Sequence, residues 1–211
     1  MQDQMAAREA ICEIGRRLWQ LQMVAANDGN ISVRMSDGTV LCTPAGVSKG
    51  FMKPEMIARV SADGEPLDDA TPSSELAMHL EAYRLRREVG AVVHAHPPVA
   101  TGYAISGLPL PVNLLAETVT AFGQVPVALY AMPGTHEVVE AVRPLLLDYN
   151  AMLLKNHGAL TLGVDLFQAY YRMEVLEHFA RTALVVAQLG AADEIPPDRL
   201  EALHALRRKL G

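Results

Sequence analysis

Residues 5 to 24 carry Ile11, Ile14, Leu18, Leu21 and Met23 at roughly helical spacing, which predicts an amphipathic first helix. The polar group Asn27-Asp28-Gly29-Asn30 is a turn, and Ile31 to Met35 alternates apolar and polar as a strand does. Asp37-Gly38 is a hairpin signal that returns Thr39 to Cys42 as the partner strand. A loop of small residues, Thr43 to Gly50, and a polar connector lead to Thr71-Pro72-Ser73-Ser74-Glu75, which opens a helix running to about Glu88. The apolar run Ala91-Val92-Val93 predicts a strand, followed by a helix near Val99 to Ser106. Further strands are expected at Gln124 to Tyr130, Ala151 to Leu154 and Ala159 to Leu162, with a helix from Thr135 to Asp148. A long helix from Leu166 to Leu189 lines up Leu166, Tyr170, Met173, Leu176, Phe179, Ala180 and Ala183, and a linker at Asp193 to Pro197 leads to a short last helix. The alternation of strands and helices predicts an α/β fold, a mixed and largely antiparallel central sheet covered by helices on both faces.

Half of the 211 residues are apolar, enough for one domain with a sizeable core, read as a body from about residue 8 to 189 with 190–211 appended. No apolar run approaches the roughly 20 residues of a membrane span, so no membrane partner is expected. The formal charge of −6, with basic residues scattered except for Arg207-Arg208-Lys209, argues against nucleic acid as a partner. Two cysteines, Cys12 and Cys42, are too few for a disulfide framework, and the first 17 residues lack the order of a secretory signal; a cytoplasmic setting is the expectation.

His94 and His96 close the Ala91-Val92-Val93 run and Pro97-Pro98 follow at once. Side chains two apart on a strand share a face, so both imidazoles project together from its carboxyl end, and neutral imidazole is the commonest ligand of a divalent transition metal. His157, before Gly158 at the end of another apolar strand, supplies a candidate third ligand, and three strand-end histidines can leave a coordination position open. His79, His136, His178 and His204 read as surface or helix-capping residues. Glu75 is explained structurally by the helix macrodipole; functionally, it stands between a helix start with two serine hydroxyls, suited to phosphate, and the metal. The loop with Gly46, Lys49 and Gly50 can wrap an anion through backbone amides, and Asn30 has a free amide to offer one.

Taken together, Gly29-Asn30-Ile31-Ser32, Thr43-Pro44-Ala45-Gly46, Ser73-Ser74-Glu75, His94-Ala95-His96 and Asn156-His157-Gly158 resemble the class II aldolase and adducin family, particularly its fuculose-phosphate aldolase-like enzymes. The resemblance covers about Arg8 to Leu189. It implies that His94, His96 and His157 bind one divalent ion per subunit, zinc first, with manganese, cobalt or iron as alternatives. It implies that Glu75 is the acid/base residue and that Asn30, Thr43, Gly46, Ser73 and Ser74 hold a substrate phosphate. It also implies a homotetramer with active sites between subunits.

By the same resemblance the chain is a metal-dependent aldolase that splits a ketose 1-phosphate into dihydroxyacetone phosphate and an aldehyde, by way of an enediolate. The chain departs from the fuculose enzyme where that enzyme has an aromatic hydroxyl to serve the leaving alkoxide. Here the segment reads Leu114-Leu115-Ala116-Glu117, which points to a small apolar aldehyde and a deoxy-sugar phosphate. Glu117 is a candidate second acid/base residue, as in the related methylthioribulose-phosphate dehydratases, or else a solvated loop carboxylate. A dehydratase, epimerase or decarboxylase acting on a related sugar phosphate is the alternative, and a non-catalytic adducin-like module is a second one.

Overall fold

Ala91, Val92 and Val93 are all buried, and a strand that is apolar on both faces belongs in the middle of a sheet. The computed structural model, which describes residues 2–210, places it there. In chain order the elements are α1 (Gln2–Gln20), β1 (Asn30–Arg34), β2 (Val40–Cys42), β3 (Ala58–Val60), α2 (Leu76–Leu85), β4 (Ala91–Ala95), α3 (Pro98–Ser106), α4 (Ala116–Ala121), β5 (Val127–Ala128), α5 (His136–Leu146), β6 (Ala151–Leu154), β7 (Gly158–Gly163), α6 (Leu166–Leu189) and α7 (Pro197–Leu210). The seven strands lie in the order β3-β2-β1-β4-β7-β6-β5. Every neighbouring pair is antiparallel except β5 with β6.

The pleat divides the core in two. Ala91, Val93 and Ala95 join Ile31, Leu41 and Leu153 beneath α1, α3 and α6. Val92 faces the other way, with Val40, Met152, Leu160 and Leu162, beneath α2 and α5. The expected mixed sheet with helices on both faces is therefore the observed one. Among the described residues no helix is long and apolar enough to cross a membrane.

The Asp37-Gly38 hairpin forms with Arg34 opposite Val40, and Gly38 takes a φ of 83° that suits glycine in such a turn. Several boundaries differ from the sequence reading. The polar connector contains β3, a three-residue edge strand too short to show an alternating pattern. The strand expected over Gln124 to Tyr130 reduces to Val127–Ala128, and α2 begins only at Leu76. Residues around Glu117 form α4 rather than a loop.

Candidate metal centre and adjoining cleft

His94 shares the Val92 face of β4, opposite Asn30 of β1 and Leu160 of β7. Pairing stops at Ala95; Pro97 occupies the N-cap of α3 and Pro98 its first turn, where a missing N–H costs nothing. The buried Glu177 of α6 accepts from the Val99 and Ala100 amides at 3.1 and 3.0 Å, which fixes the start of α3 directly after His96. His157 arrives from the turn between β6 and β7, where Asn156 adopts a φ of 55°, a left-handed conformation that asparagine tolerates. Gly158 follows because no larger residue fits: a Cβ there would lie 2.5 Å from the Ala95 carbonyl oxygen and 2.6 Å from His96 Cδ2.

The three rings meet with centroids 5.0 Å (His94–His96), 4.7 Å (His94–His157) and 5.0 Å (His96–His157) apart. One nitrogen from each lies within 4.8 Å of the others, an arrangement that can hold a metal ion. His94 Nδ1 donates to the Ala159 carbonyl at 2.9 Å, leaving Nε2 as a lone pair aimed inward. That Nε2 lies 3.2 Å from His96 Nε2. Two ligands of a tetrahedral ion with bonds of 2.0–2.1 Å are separated by about 3.3 Å, so the spacing suits a shared cation. Asp28 places a carboxylate oxygen 3.4 Å from His96 Nδ1 on the far side of that ring, as an orienting partner of a metal-binding histidine does. Burial, reinforced by the facing His96 and His157, holds His94 well below its ordinary pKa. His157 is lowered by burial, with Glu75 pulling the other way. Both rings are therefore neutral near pH 7 and able to ligate. The donor set fits a divalent cation.

Glu75 sits at the N-cap of α2, not inside its first turn, and Ser73 Oγ accepts from its backbone amide at 3.3 Å. Its Oε2 accepts from Asn30 Nδ2 at 2.9 Å and lies 3.4 Å from His94 Nε2, while Oε1 lies 3.4 Å from His157 Nε2. Among the described residues Glu75 Oε1 and Asn30 Oδ1 are buried without a hydrogen-bond partner, the state of groups that await a ligand.

A cleft of about 390 Å³ opens beside this carboxylate, walled by Asn30, Gly46, Ser73, Ser74, His96 and His157 among others. Gly46 has a φ of 70°, where a side chain would be strained. Thr43 does not face the cleft; it is buried, and its Oγ1 accepts from the Ile31 amide at 3.2 Å, bracing the loop from behind. Glu117 is exposed in the first turn of α4 and lies off the cleft wall. Lys49 is the cleft's one lysine or arginine among the described residues. Only 2 % exposed, it donates to the Asn27 and Val47 carbonyls at 2.8 and 2.7 Å, and burial pushes its pKa down to about 8 against the pull of Asp28 and Glu75. The sequence flagged Lys49 only as part of an anion-wrapping loop. Asp28 carried no signal, because its approach to His96 depends on the β1–β4 register.

One histidine corrects the sequence reading. His79 is neither a surface nor a capping residue: it is 1 % exposed in α2, and its Nδ1 shares a 2.7 Å hydrogen bond with Ser32 Oγ, which also meets Tyr83.

This sheet, its imidazole cluster and the glutamate beside it define a class of protein, and residues 9–184 match the Class II Aldolase and Adducin N-terminal domain. The chain belongs to that family. It is 33% identical over 183 residues to 3-oxo-tetronate 4-phosphate decarboxylase of Escherichia coli (strain K12), covering 85% of this chain and 86% of that one. It is 32% identical over 200 residues to 5-deoxy-D-ribulose 1-phosphate aldolase of Bacillus thuringiensis, covering 93% and 92%. Its structure superposes on that of an L-fuculose 1-phosphate aldolase with a TM-score of 0.86 at 27% identity, over 94% of each chain.

Proposed function

We propose that this protein is a divalent-metal-dependent carbon–carbon lyase that decarboxylates a phosphorylated 3-oxo sugar acid. The observation that carries the proposal is the Glu75 carboxylate, held by Asn30 against three converging imidazoles at the edge of a polar cleft that no tyrosine of the described residues lines. His94, His96 and His157 would hold the cation, zinc or else manganese, cobalt or iron. Bound there, it supplies a Lewis acid for the substrate's carbonyl and neighbouring oxygen.

The remaining work belongs to the chain. Asn30, Gly46, Ser73, Ser74 and Lys49 receive the phosphate; Lys49 has three N–H groups and spends two on backbone carbonyls. In a four-carbon 3-oxo acid 4-phosphate the bond between the carboxylate and C2 breaks, carbon dioxide leaves, and the electron pair is delocalised onto the C3 oxygen. Glu75 then passes a proton, replaced from solvent, to C2, which yields dihydroxyacetone phosphate. Carbon dioxide departs without surrendering a proton, so this reaction asks for no further acid or base where the cleft offers no aromatic hydroxyl.

Aldol cleavage of a ketose 1-phosphate generates the same three-carbon fragment, with an aldehyde in place of carbon dioxide. Similarity to the 5-deoxy-D-ribulose 1-phosphate aldolase favours it as a second reading, with Glu75 again protonating the carbon released. That reaction must also take a proton from the hydroxyl that becomes the aldehyde, a task for Glu117 only if a homotetramer brings it to a neighbouring cleft. Incubating the protein, loaded in turn with zinc, manganese, cobalt and iron, with 3-oxo acid phosphates and ketose 1-phosphates separates these readings. Carbon dioxide release supports decarboxylation. An aldehyde supports the second reading, and an intact dehydrated skeleton refutes both.

A further inference from the structure

At the opposite end of the sheet from the histidines, α4, α6 and α7 enclose a second cavity of about 390 Å³, lined by Thr120, Asn150, Gln168, Arg172, Arg207 and Arg208. Asn150 immediately precedes β6 and His157 follows its carboxyl end, so a strand of four residues, about 13 Å, separates the two regions. The cleft beside Glu75 and this cavity share no lining residue.

The composition of this second cavity is unusual for the protein. Acidic side chains outnumber lysine and arginine 24 to 18, and Arg8, Arg59, Arg86 and Arg181 each meet a carboxylate. Among the described residues no carboxylate pairs with Arg172, Arg207 or Arg208, and none lines the cavity. The acid nearest in sequence, Asp165, is engaged as the N-cap of α6, where it accepts from the Gln168 amide at 2.8 Å.

Arg172 is half-buried and uses Nη1 on the Leu162 carbonyl at 2.6 Å, which leaves the rest of its planar fork unspent. Burial first, then the charges of Arg86 and Arg207, press its pKa down to about 10, with Asp165 pulling the other way. The macrodipole of α7 favours the basic residues of its last turn, Arg207, Arg208 and Lys209. It does not account for Arg207 and Arg172 lining one cavity. Gly123, with a φ of 67°, makes room for that approach, since a Cβ there would lie 2.8 Å from Arg207 Nη1. Asn150 Oδ1, buried without a partner, adds a polar atom to the wall; a half-turn of the amide presents its N–H₂ instead.

The geometry points to a second anion site, formed by Arg172, Arg207, Arg208 and the Asn150 amide, that takes a phosphate group as orthophosphate or as the end of a phosphate monoester. It does not depend on the reaction assigned to the cleft.

Calorimetric titration of the full, metal-loaded chain at constant chloride, with orthophosphate and with glycerol phosphate, tests it. Wild-type protein is expected to bind two phosphate groups per chain. An R207Q/R208Q variant, altered only in side chains that make no hydrogen bond among the described residues, should lose one of them by at least tenfold. A Ser73→Ala/Ser74→Ala variant should lose the other, which keeps the two sites distinguishable. Arg172→Gln is expected to match R207Q/R208Q. Tighter orthophosphate binding at the arginine site identifies the free ion as its ligand, and tighter glycerol phosphate binding identifies an ester. Two undiminished sites in R207Q/R208Q would overturn the assignment. So would a change in that variant's sedimentation mass with phosphate binding unaltered, which would show the arginines facing a second copy of the chain.

Discussion

Replacing Gly158 by alanine adds one methyl group where β7 passes under the imidazole cluster. Its Cβ would sit 2.5 Å from the Ala95 carbonyl oxygen, 2.6 Å from His96 Cδ2 and 3.3 Å from His94 Cε1. Carbon atoms rest at about 3.5–4.0 Å, so the His96 ring has to retreat by about 1 Å. A metal site tolerates displacements of about 0.2 Å in its ligand distances, and the shift is several times that. G158A is therefore expected to lose metal affinity by about 100-fold or more. Its kcat/KM should fall by about 100-fold even when metal is saturating, because the carboxylate and the cation no longer share one geometry. The overpacking should lower stability by about 1–3 kcal/mol, a Tm loss of roughly 2–12 °C for a chain this long. Metal content after dialysis, kcat/KM and thermal unfolding measure the three effects. Gly102→Ala in α3 is the control, since a Cβ there meets nothing within 4 Å. A G158A protein with its full metal complement and unaltered activity would refute the steric argument.

Glu75→Gln preserves the shape of the side chain and should keep the metal while lowering kcat by about 10²–10⁴-fold; loss of the metal instead would make Glu75 a ligand first. Lys49→Met leaves the Asn27 and Val47 carbonyls unpaired and removes the cleft's lysine charge, so stability should drop by about 1–3 kcal/mol and KM should rise more than kcat falls. Burial pushes His79 down to about 3 from an ordinary value of 6.5, so the unfolded chain binds the extra proton between those limits and stability declines as pH falls below 6.5. At pH 5 the loss from this residue is about 2 kcal/mol. A His79→Gln variant should show a correspondingly flatter stability profile in denaturant titrations from pH 7 to 5, and an unchanged slope would contradict the burial argument.

The sequence reveals what repeats or breaks a pattern. The His94-Ala95-His96 spacing, the prolines that end the strand, and the apolar stripe of α6 each state a geometry that the structure repeats. Short elements do not announce themselves. β3 has three residues and α4 has six, fewer than two periods of their respective patterns, so neither stands out from a polar loop. The cluster was legible in part: Glu75 and His157 could be nominated, but Asp28 meets His96 only because Asn30 pairs with His94 across β1 and β4. Thr43 shows the opposite failing. A hydroxyl in an anion-wrapping loop looks like a phosphate ligand, yet its backbone register turns it inward to Ile31. His79 sits one turn after Glu75 and one turn before Tyr83, a spacing that marks the buried face of α2. The resemblance pointed first to aldol cleavage, and similarity to the decarboxylase moves the weight to its alternative. Both proposed reactions release the same carbon nucleophile, so the roles proposed for the histidines and Glu75 are the same in either.

Proton exchange at that carbon is the most direct measurement, because it requires neither carbon dioxide nor an aldehyde. Dihydroxyacetone phosphate incubated with the metal-loaded protein in deuterium oxide should exchange one of the two hydrogens on its hydroxyl-bearing carbon, followed by proton NMR. Exchange should disappear on chelation and in Glu75→Gln. Exchange that persists at the wild-type rate in Glu75→Gln, or its absence from fully metal-loaded wild-type protein, would contradict the account.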